Sequence, residues 1–142
     1  MKKGELWRVR LPALGGRSQH GIRPVVILAD HNLPVVVIVP CTSNSEALRF
    51  RFTVRVNPSS KNGLDTDSVA MAFQLVAVDR KFFEEKIGVL ENPLMDELDQ
   101  TVKTMLALYS ILKFFQVDSR GMFRMTSSAR YFKKGVGSSR PN

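Results

Sequence analysis

Residues 24–41 read PVVILADHNLPVVVIVPC. Two runs rich in β-branched residues, Pro24–Ala29 and Pro34–Cys41, flank Asp30-His31-Asn32, whose composition is that of a tight turn. Neither run alternates polar with apolar residues, so both strands are expected to be buried on both faces, as in a barrel or a tightly curled sheet. Upstream, Glu5–Leu11 does alternate: Leu6, Arg8 and Arg10 fall on one side and Trp7, Val9 and Leu11 on the other. The intervening segment 14–21, LGGRSQHG, holds three glycines in eight residues and reads as a loop. Downstream, Arg49–Val56 predicts a strand with Phe50, Phe52, Val54 and Val56 on one face and Arg49, Arg51, Thr53 and Arg55 on the other. Asn57–Asp67 is polar and loop-like, Ser68–Phe73 reads as a strand, Asp79 caps a short helix through Lys86, and Ile87–Leu90 returns to extended chain.

Asn92-Pro93 opens the one long helix, since Asn caps well, Pro suits the first helical position, and Asp96, Glu97 and Asp99 complement the positive helix end. Leu94, Leu98, Val102, Met105, Tyr109 and Leu112 recur at helical spacing and form one apolar stripe directed at the sheet. After Leu112 the pattern decays into a basic tail, 113–142, which is expected to be at least partly disordered and fully so over its last eight residues. The fold class is therefore mainly β with a C-terminal helix, an α+β chain with one domain over 1–112.

Composition narrows the function. A chain of 142 residues, 44% hydrophobic, holds one domain with a real core. Its single Cys excludes an internal disulfide, and its two His residues fall in no metal-ligand constellation, so neither a metal nor a cofactor is expected. The N-terminus lacks a signal-peptide core, and the longest apolar run, Leu33–Cys41, is nine residues against the roughly 20 a membrane span needs. A soluble cytoplasmic protein is the expectation. The net charge of +8 is unevenly distributed: residues 1–60 and 111–142 each carry six net positive charges, and 61–110 four net negative ones. A one-sided positive surface favours a polyanion such as nucleic acid, the alternative being that excess Arg keeps the chain soluble.

Two segments concentrate chemistry. The loop into the second strand carries Arg17, Ser18, Gln19, His20 and Arg23, with Pro24 pushing Arg23 into extended geometry. Neither GxxxxGK[ST] nor GxGxxG occurs. His20 is either an acid or base or a solvated loop residue. The second segment, Pro40-Cys41-Thr42-Ser43-Asn44-Ser45, places hydroxyls and an amide where a buried strand emerges, which makes either a site or an ordinary turn or cap. Cys41 continues an apolar strand and reads as an inert buried thiol. On an extended strand Arg49 and Arg51 lie ~6.6 Å apart, near the spacing of phosphates along a single strand, though a solvated face gives the same pattern.

Taken in order, these landmarks resemble the MazF/PemK (Kid-like) family of toxin endoribonucleases. Gly4–Val9 is similar to its GDI/GEI-type first strand, Gly16–Pro24 to its GxEQxGxRP loop, and Ile38–Ser43 to its VVPxTS strand end. Asn62–Val69 resembles its GLxxDSVV segment, Gln74–Asp79 its DQxRxxD stretch, and Lys86–Leu90 with the helix its KIGxL ending. The match runs collinearly from Gly4 to Leu108. It implies an SH3-like, strongly curled β-barrel of the MazF/CcdB kind, a homodimer, an acidic antitoxin partner, and metal-independent cleavage of single-stranded RNA, such as mRNA, at specific sequences. Attack by the ribose 2′-hydroxyl would leave a 2′,3′-cyclic phosphate and a 5′-hydroxyl. Residue by residue, the family's two catalytic positions fall on Arg23 and Thr42, while Arg17, Gln19, His20, Ser43, Arg49, Arg51 and Gln74 are the candidate RNA contacts. The chain departs from the pattern at Ser18, where the loop usually carries Glu, and at Phe73 and Val76, in place of the Asp and Arg of DQxR. The alternative on the same fold is a catalytically degenerate RNA binder or a CcdB-like gyrase inhibitor. A basic SH3-like module binding protein partners ranks last.

Overall fold

A computed structural model of the chain describes residues 1–13, 15–108, 115–117 and 119–125. They divide into two compact units, Met1–Met105 and Leu106–Asn142. In the first, seven antiparallel strands form one sheet: β1 (Glu5–Leu11), β2 (Gly21–Ala29), β3 (Val35–Thr42), β4 (Thr53–Val56), β5 (Ser68–Met71), β6 (Val76–Asp79) and β7 (Phe83–Val89). A single helix, α1 (Asn92–Met105), follows.

The sheet path is β4-β5-β3-β2-β1-β7, with β6 added beside β3. β3 pairs with β2 along one edge, while its other edge pairs first with β6 over Val35–Ile38 and then with β5 at Cys41 and Thr42. One strand thus serves two directions of sheet, which is how a curled sheet is built. Its unalternating sequence follows from this: Val26, Val39 and Cys41 enter one core cluster with Leu6, Val54 and Leu98, and Val25, Ile27 and Ile38 enter a second with Val9 and Leu11. The helix closes the first cluster with Leu94, Leu98, Val102 and Met105.

The end strands β4 and β7 do not pair with each other, and the loop 57–67 fills the seam between them. The Val89 amide donates to the Lys61 carbonyl at 2.9 Å. Gly63, at φ +69°, approaches the β7 backbone so closely that an added Cβ would lie 1.9 Å from the Ile87 carbonyl oxygen; at Gly88 it would lie 2.3 Å from that of Asn62. Asn62 is fully buried. Its Oδ1 accepts from the Ser59 and Leu64 amides at 3.1 and 3.0 Å, and its Nδ2 donates to the Asn57 carbonyl at 2.8 Å and to both oxygens of Glu91 at 3.3 Å. The Ser59 hydroxyl also bonds Glu91, the residue just before α1. Burial opposes ionisation of Glu91, but these donors outweigh it and hold the carboxyl below its ordinary range.

Several expectations need correction. Only Thr53–Val56 of the expected Arg49–Val56 strand is extended. Ser45–Arg49 winds into a 3-10 helix because the Asn44 side chain caps the Glu46 amide, and Phe52 takes a left-handed φ of +62°, so the alternation breaks. Second, Ser68–Phe73 stays extended only to Met71, after which Ala72–Gln74 is a 3-10 turn. Third, Asp79 does cap the Lys81 amide, at 2.9 Å, but the helix is a single 3-10 turn over Arg80–Phe82; the chain from Phe83 onward is claimed by pairing with β1. β6 was not expected from the sequence. The long helix stops at Met105, and Ala107 has φ +57°, a left-handed backbone that ends a helix. Tyr109, Leu112 and the last eight residues lie outside the described residues. In the second unit, a two-stranded antiparallel hairpin, β8 (Phe115–Val117) with β9 (Phe123–Met125), forms within the basic tail, where no strand was expected.

Two ion-pair clusters tie strands together. Glu5 on β1 accepts from Lys86 on β7 at 3.0 Å and from the Trp7 indole at 2.9 Å. Buried Asp30, in the β2–β3 turn, receives the Arg80 guanidinium and the N-terminal ammonium, the latter at 3.1 Å. The Arg80 hydrogen bonds hold Asp30 well below the usual carboxylate range.

Two outcomes are expected. Gly63→Ala and Asn62→Ala should each destabilise the chain in urea titrations by about 2–4 kcal/mol, one by steric clash and the other by orphaning buried polar groups. Gly15→Ala, which meets nothing within 4 Å, should cost only the strain of its positive φ. Burial raises the Glu5 pKa, but the Trp7 and Lys86 bonds outweigh it and bring it to about 2, against 4.5 for an unperturbed Glu. The unfolded chain therefore binds this proton first on acidification, so the Glu5 contribution is complete above pH 4.5 and fades as the pH falls toward 2. The stability difference between wild type and Glu5→Gln should shrink over that window.

Candidate active site and nucleic-acid interface

The last β2–β3 pair is Val25 with Pro40, and just beyond it Arg23 of β2 and Thr42 of β3 line the same cleft. Arg23 is half-buried, and its Nε donates to the His20 carbonyl at 2.8 Å. That bond orients the guanidinium and leaves its two terminal nitrogens without a partner among the described residues. Thr42 ends β3, 9% exposed, with its Oγ1 accepting from the Asn44 amide at 3.2 Å. Its own hydroxyl proton thus remains available to donate.

Two clefts meet at Thr42. The first, of about 180 Å³, is lined by Arg8, Arg23, Thr42 and Ser43 on the sheet and by Gly63–Thr66 of the seam loop. The second, of about 300 Å³, is lined by Arg17, Gln19, Thr42, Asn44, Arg49, Phe50, Phe73 and Gln74, among others. Of the nine candidate residues, the two clefts together collect seven. Gln74 reaches across to the Arg17 carbonyl at 3.3 Å, fastening the glycine loop to the turn after β5. His20 and Arg51 line neither cleft: the His20 side chain is exposed and its backbone oxygen serves Arg23, while Arg51 lies over the Phe52 ring at 4.9 Å. Arg49 ends a 3-10 helix, paired with Glu46 at 3.4 Å and stacked over Phe50 at 5.0 Å. The regular phosphate spacing argued for Arg49 and Arg51 is therefore absent, because the two do not share a strand.

Sequence reasoning missed Asp65 and Thr66 as wall residues of the first cleft, and the half-exposed Phe50–Phe73 pair of the second. Only the closure of the seam brings Asp65 to the cleft that Arg23 lines, so no local signal marked it. Ser18, where the family pattern has Glu, hydrogen-bonds the Gly15 carbonyl instead, and no carboxylate pairs with Arg23 among the described residues. Among the described residues no cluster of three or more His, Cys, Asp or Glu side chains is placed to hold a metal, and no helix is long and apolar enough to cross a membrane.

Residues 2–106 match the PemK-like, MazF-like toxins of type II toxin-antitoxin systems. The chain belongs to this family. It is similar to the endoribonuclease MazF of Staphylococcus saprophyticus, 29% identical over 115 residues that cover 78% of this chain and 95% of the relative. It is also similar to the endoribonuclease EndoA of Bacillus subtilis, 24% identical over 76% of this chain and 96% of the relative. Among solved structures, Deinococcus radiodurans MazF superposes with a TM-score of 0.65 at 20% identity, covering 75% of this chain and 96% of that one. A mycobacterial endoribonuclease in complex with its cognate antitoxin gives 0.59, also at 20% identity, over 75% and 94%. The architecture shared with these toxins is the mainly antiparallel, curled sheet followed by one helix.

Cys41 sits beside Thr42 yet is fully buried, and burial pushes its thiol up to about 12. It should react with a thiol reagent such as DTNB at pH 8 only once the chain is unfolded, and labelling should track the denaturation curve.

Proposed function

We propose that the chain is a toxin endoribonuclease that cuts single-stranded RNA, mRNA included, at specific sequences without a metal ion. The observation that carries this reading is that Arg23 and Thr42 line one cleft, which meets a second at Thr42, in a chain of the PemK/MazF family. The ribose 2′-hydroxyl loses its proton and its oxygen bonds to the adjacent phosphorus; the bond from phosphorus to the 5′-oxygen breaks, and that oxygen takes up a proton. The products are a 2′,3′-cyclic phosphate and a 5′-hydroxyl end. Charge accumulates on the non-bridging phosphate oxygens in the five-coordinate state. The terminal nitrogens of Arg23 supply cationic stabilisation there, and the Thr42 hydroxyl donates a further hydrogen bond. A guanidinium with a pKa above about 12 is a poor base, so Arg23 acts by charge, and the proton moves through His20 or solvent.

Arg17, Gln19, Ser43, Arg49 and Gln74 line the path of the bound strand on either side of Thr42. An acidic antitoxin would compete for the same basic surface, and a homodimer would double it. Residues 1–112 carry this activity, in the cytoplasm where mRNA lies. The unpaired state of Arg23 and the departures at Ser18, Phe73 and Val76 favour one second reading, an RNA-binding toxin that has lost cleavage.

Incubation with a long single-stranded RNA in EDTA should give discrete cuts with 5′-hydroxyl ends. Arg23→Ala and Thr42→Ala should each slow cutting on the order of 100-fold or more, the scale for losing a group that stabilises transition-state charge. Folded protein that binds RNA without cutting it would leave the second reading standing.

A further inference from the structure

The geometry points to a nucleobase-stacking subsite built from Phe50 and Phe73, which holds one unpaired base of the RNA strand beside the scissile phosphate and so sets part of the cleavage preference. The inference rests on the endoribonuclease reading and adds to it where the base beside the cut is read.

Large aromatic side chains are ordinarily drawn into the core, and this fold buries apolar residues on both faces of its sheet. Phe50 and Phe73 are nevertheless 44% and 37% exposed, side by side, with ring centroids 5.5 Å apart and planes tilted by 48°. Each is delivered by its own 3-10 turn. Phe50 follows the Ser45–Arg49 turn, whose Asn44 cap also bonds Thr42; Phe73 lies within Ala72–Gln74, which Gln74 fastens to the Arg17 carbonyl. Both therefore stand at fixed positions on the cleft that Thr42 shares with the first.

The occupant follows from the surroundings. Arg49, paired with Glu46 of the same cleft, lies over the Phe50 ring at 5.0 Å, and Arg17, which carries no ion pair among the described residues, lines the cleft too, so the apolar surface has guanidinium groups beside it and one net positive charge. A single-stranded polyanion presents this combination: flat bases that stack on aromatic rings, spaced along phosphates that pair with guanidinium groups. The amides of Gln19 and Gln74 lie within the cleft to donate to and accept from a base edge, which turns a tolerant platform into a selective one. A peptide side chain would use the rings but not the pattern of cations leading to Arg23 and Thr42.

The test is made on the full chain. Cut sites are first mapped on a long RNA, and a short RNA around one site is then made with a 2′-O-methyl ribose at the cut. It carries 2-aminopurine in turn at each of the three positions on either side. Binding to wild type should quench the emission at one position, and Phe50→Ala or Phe73→Ala should relieve the quenching and weaken binding on the order of 10- to 100-fold. Phe73→Tyr should restore both. The same Ala variants should cut with a relaxed preference at that position, and both side chains are exposed enough for the fold to survive, which circular dichroism checks. If wild type cuts RNA but no position is quenched, or the Ala variants keep the wild-type cut profile, the subsite is overturned while the enzyme stands. If the Ala variants lose only affinity for an acidic antitoxin peptide, the rings serve a protein partner and the proposal likewise falls. A wild-type chain that neither cuts nor binds RNA overturns the endoribonuclease reading and the subsite with it.

Discussion

A single buried amide, that of Asn62, holds together the loop that closes the open side of this curled sheet. The sheet path ends at β4 on one side and β7 on the other with no ladder joining them, and unpaired strand edges are open to slippage and to other chains. Asn62 converts that gap into a seam: it satisfies two backbone amides, one carbonyl and the Glu91 carboxylate from inside the protein. No buried side-chain polar atom is left without a hydrogen bond among the described residues, so the knot is complete and its polarity is not a liability. The two glycines beside it, Gly63 and Gly88, let the backbones approach more closely than any side chain would permit. The first cleft exists because of this contact, since its far wall is the loop that Asn62 anchors.

The same logic explains why residues of such different character are found together. Arg23 and Thr42 lie 19 positions apart in sequence, yet the antiparallel pairing of β2 with β3 brings them to one cleft, and a one-residue slip of either strand would turn its member of the pair to the other face. Register is protected here by the burial of both faces of β2 and β3: a slip of β2 would carry Val25 and Ile27 out of one core cluster and toward the other, and a slip of β3 would do the same to Ile38. The precision of the site is thus borrowed from apolar packing that touches no substrate.

That division accounts for what the sequence made legible. The unalternating runs 24–29 and 34–41 announced two central strands, and the turn between them formed as read, with Asp30 accepting from the Asn32 amide. The stripe from Leu94 to Met105 announced the helix. Short elements were misread wherever tertiary pairing overrode local pattern. Phe83–Lys86 has helical composition but is captured by β1, and the alternation of residues 49–56 is real as chemistry yet interrupted by the left-handed Phe52. Arg23 and Thr42 were singled out through resemblance, and the structure brings both to one cleft. Asp65, Thr66 and the Phe50–Phe73 pair were not, because each owes its position to the seam or to a 3-10 turn that interrupts an expected strand.

Net charge alone misstates how much of the basic character is available to a polyanion. Arg8, Arg10 and Lys86 are engaged with carboxylates of β7 or β1, Lys3 with Asp99 on the helix, and Arg80 with buried Asp30, so these cations serve the fold. Arg17 and Arg23 carry no ion pair among the described residues, and both line the clefts. An exposed ion pair is worth little and screens its own field, whereas an uncompensated guanidinium held by one hydrogen bond to a backbone carbonyl keeps its full charge and a fixed direction. Ser18, where the family pattern has Glu, bonds the Gly15 carbonyl, so the loop supplies no carboxylate to offset this charge. Among the described residues the orientation of Arg23 falls to the His20 carbonyl, in a glycine loop that Gln74 fastens to the turn after β5.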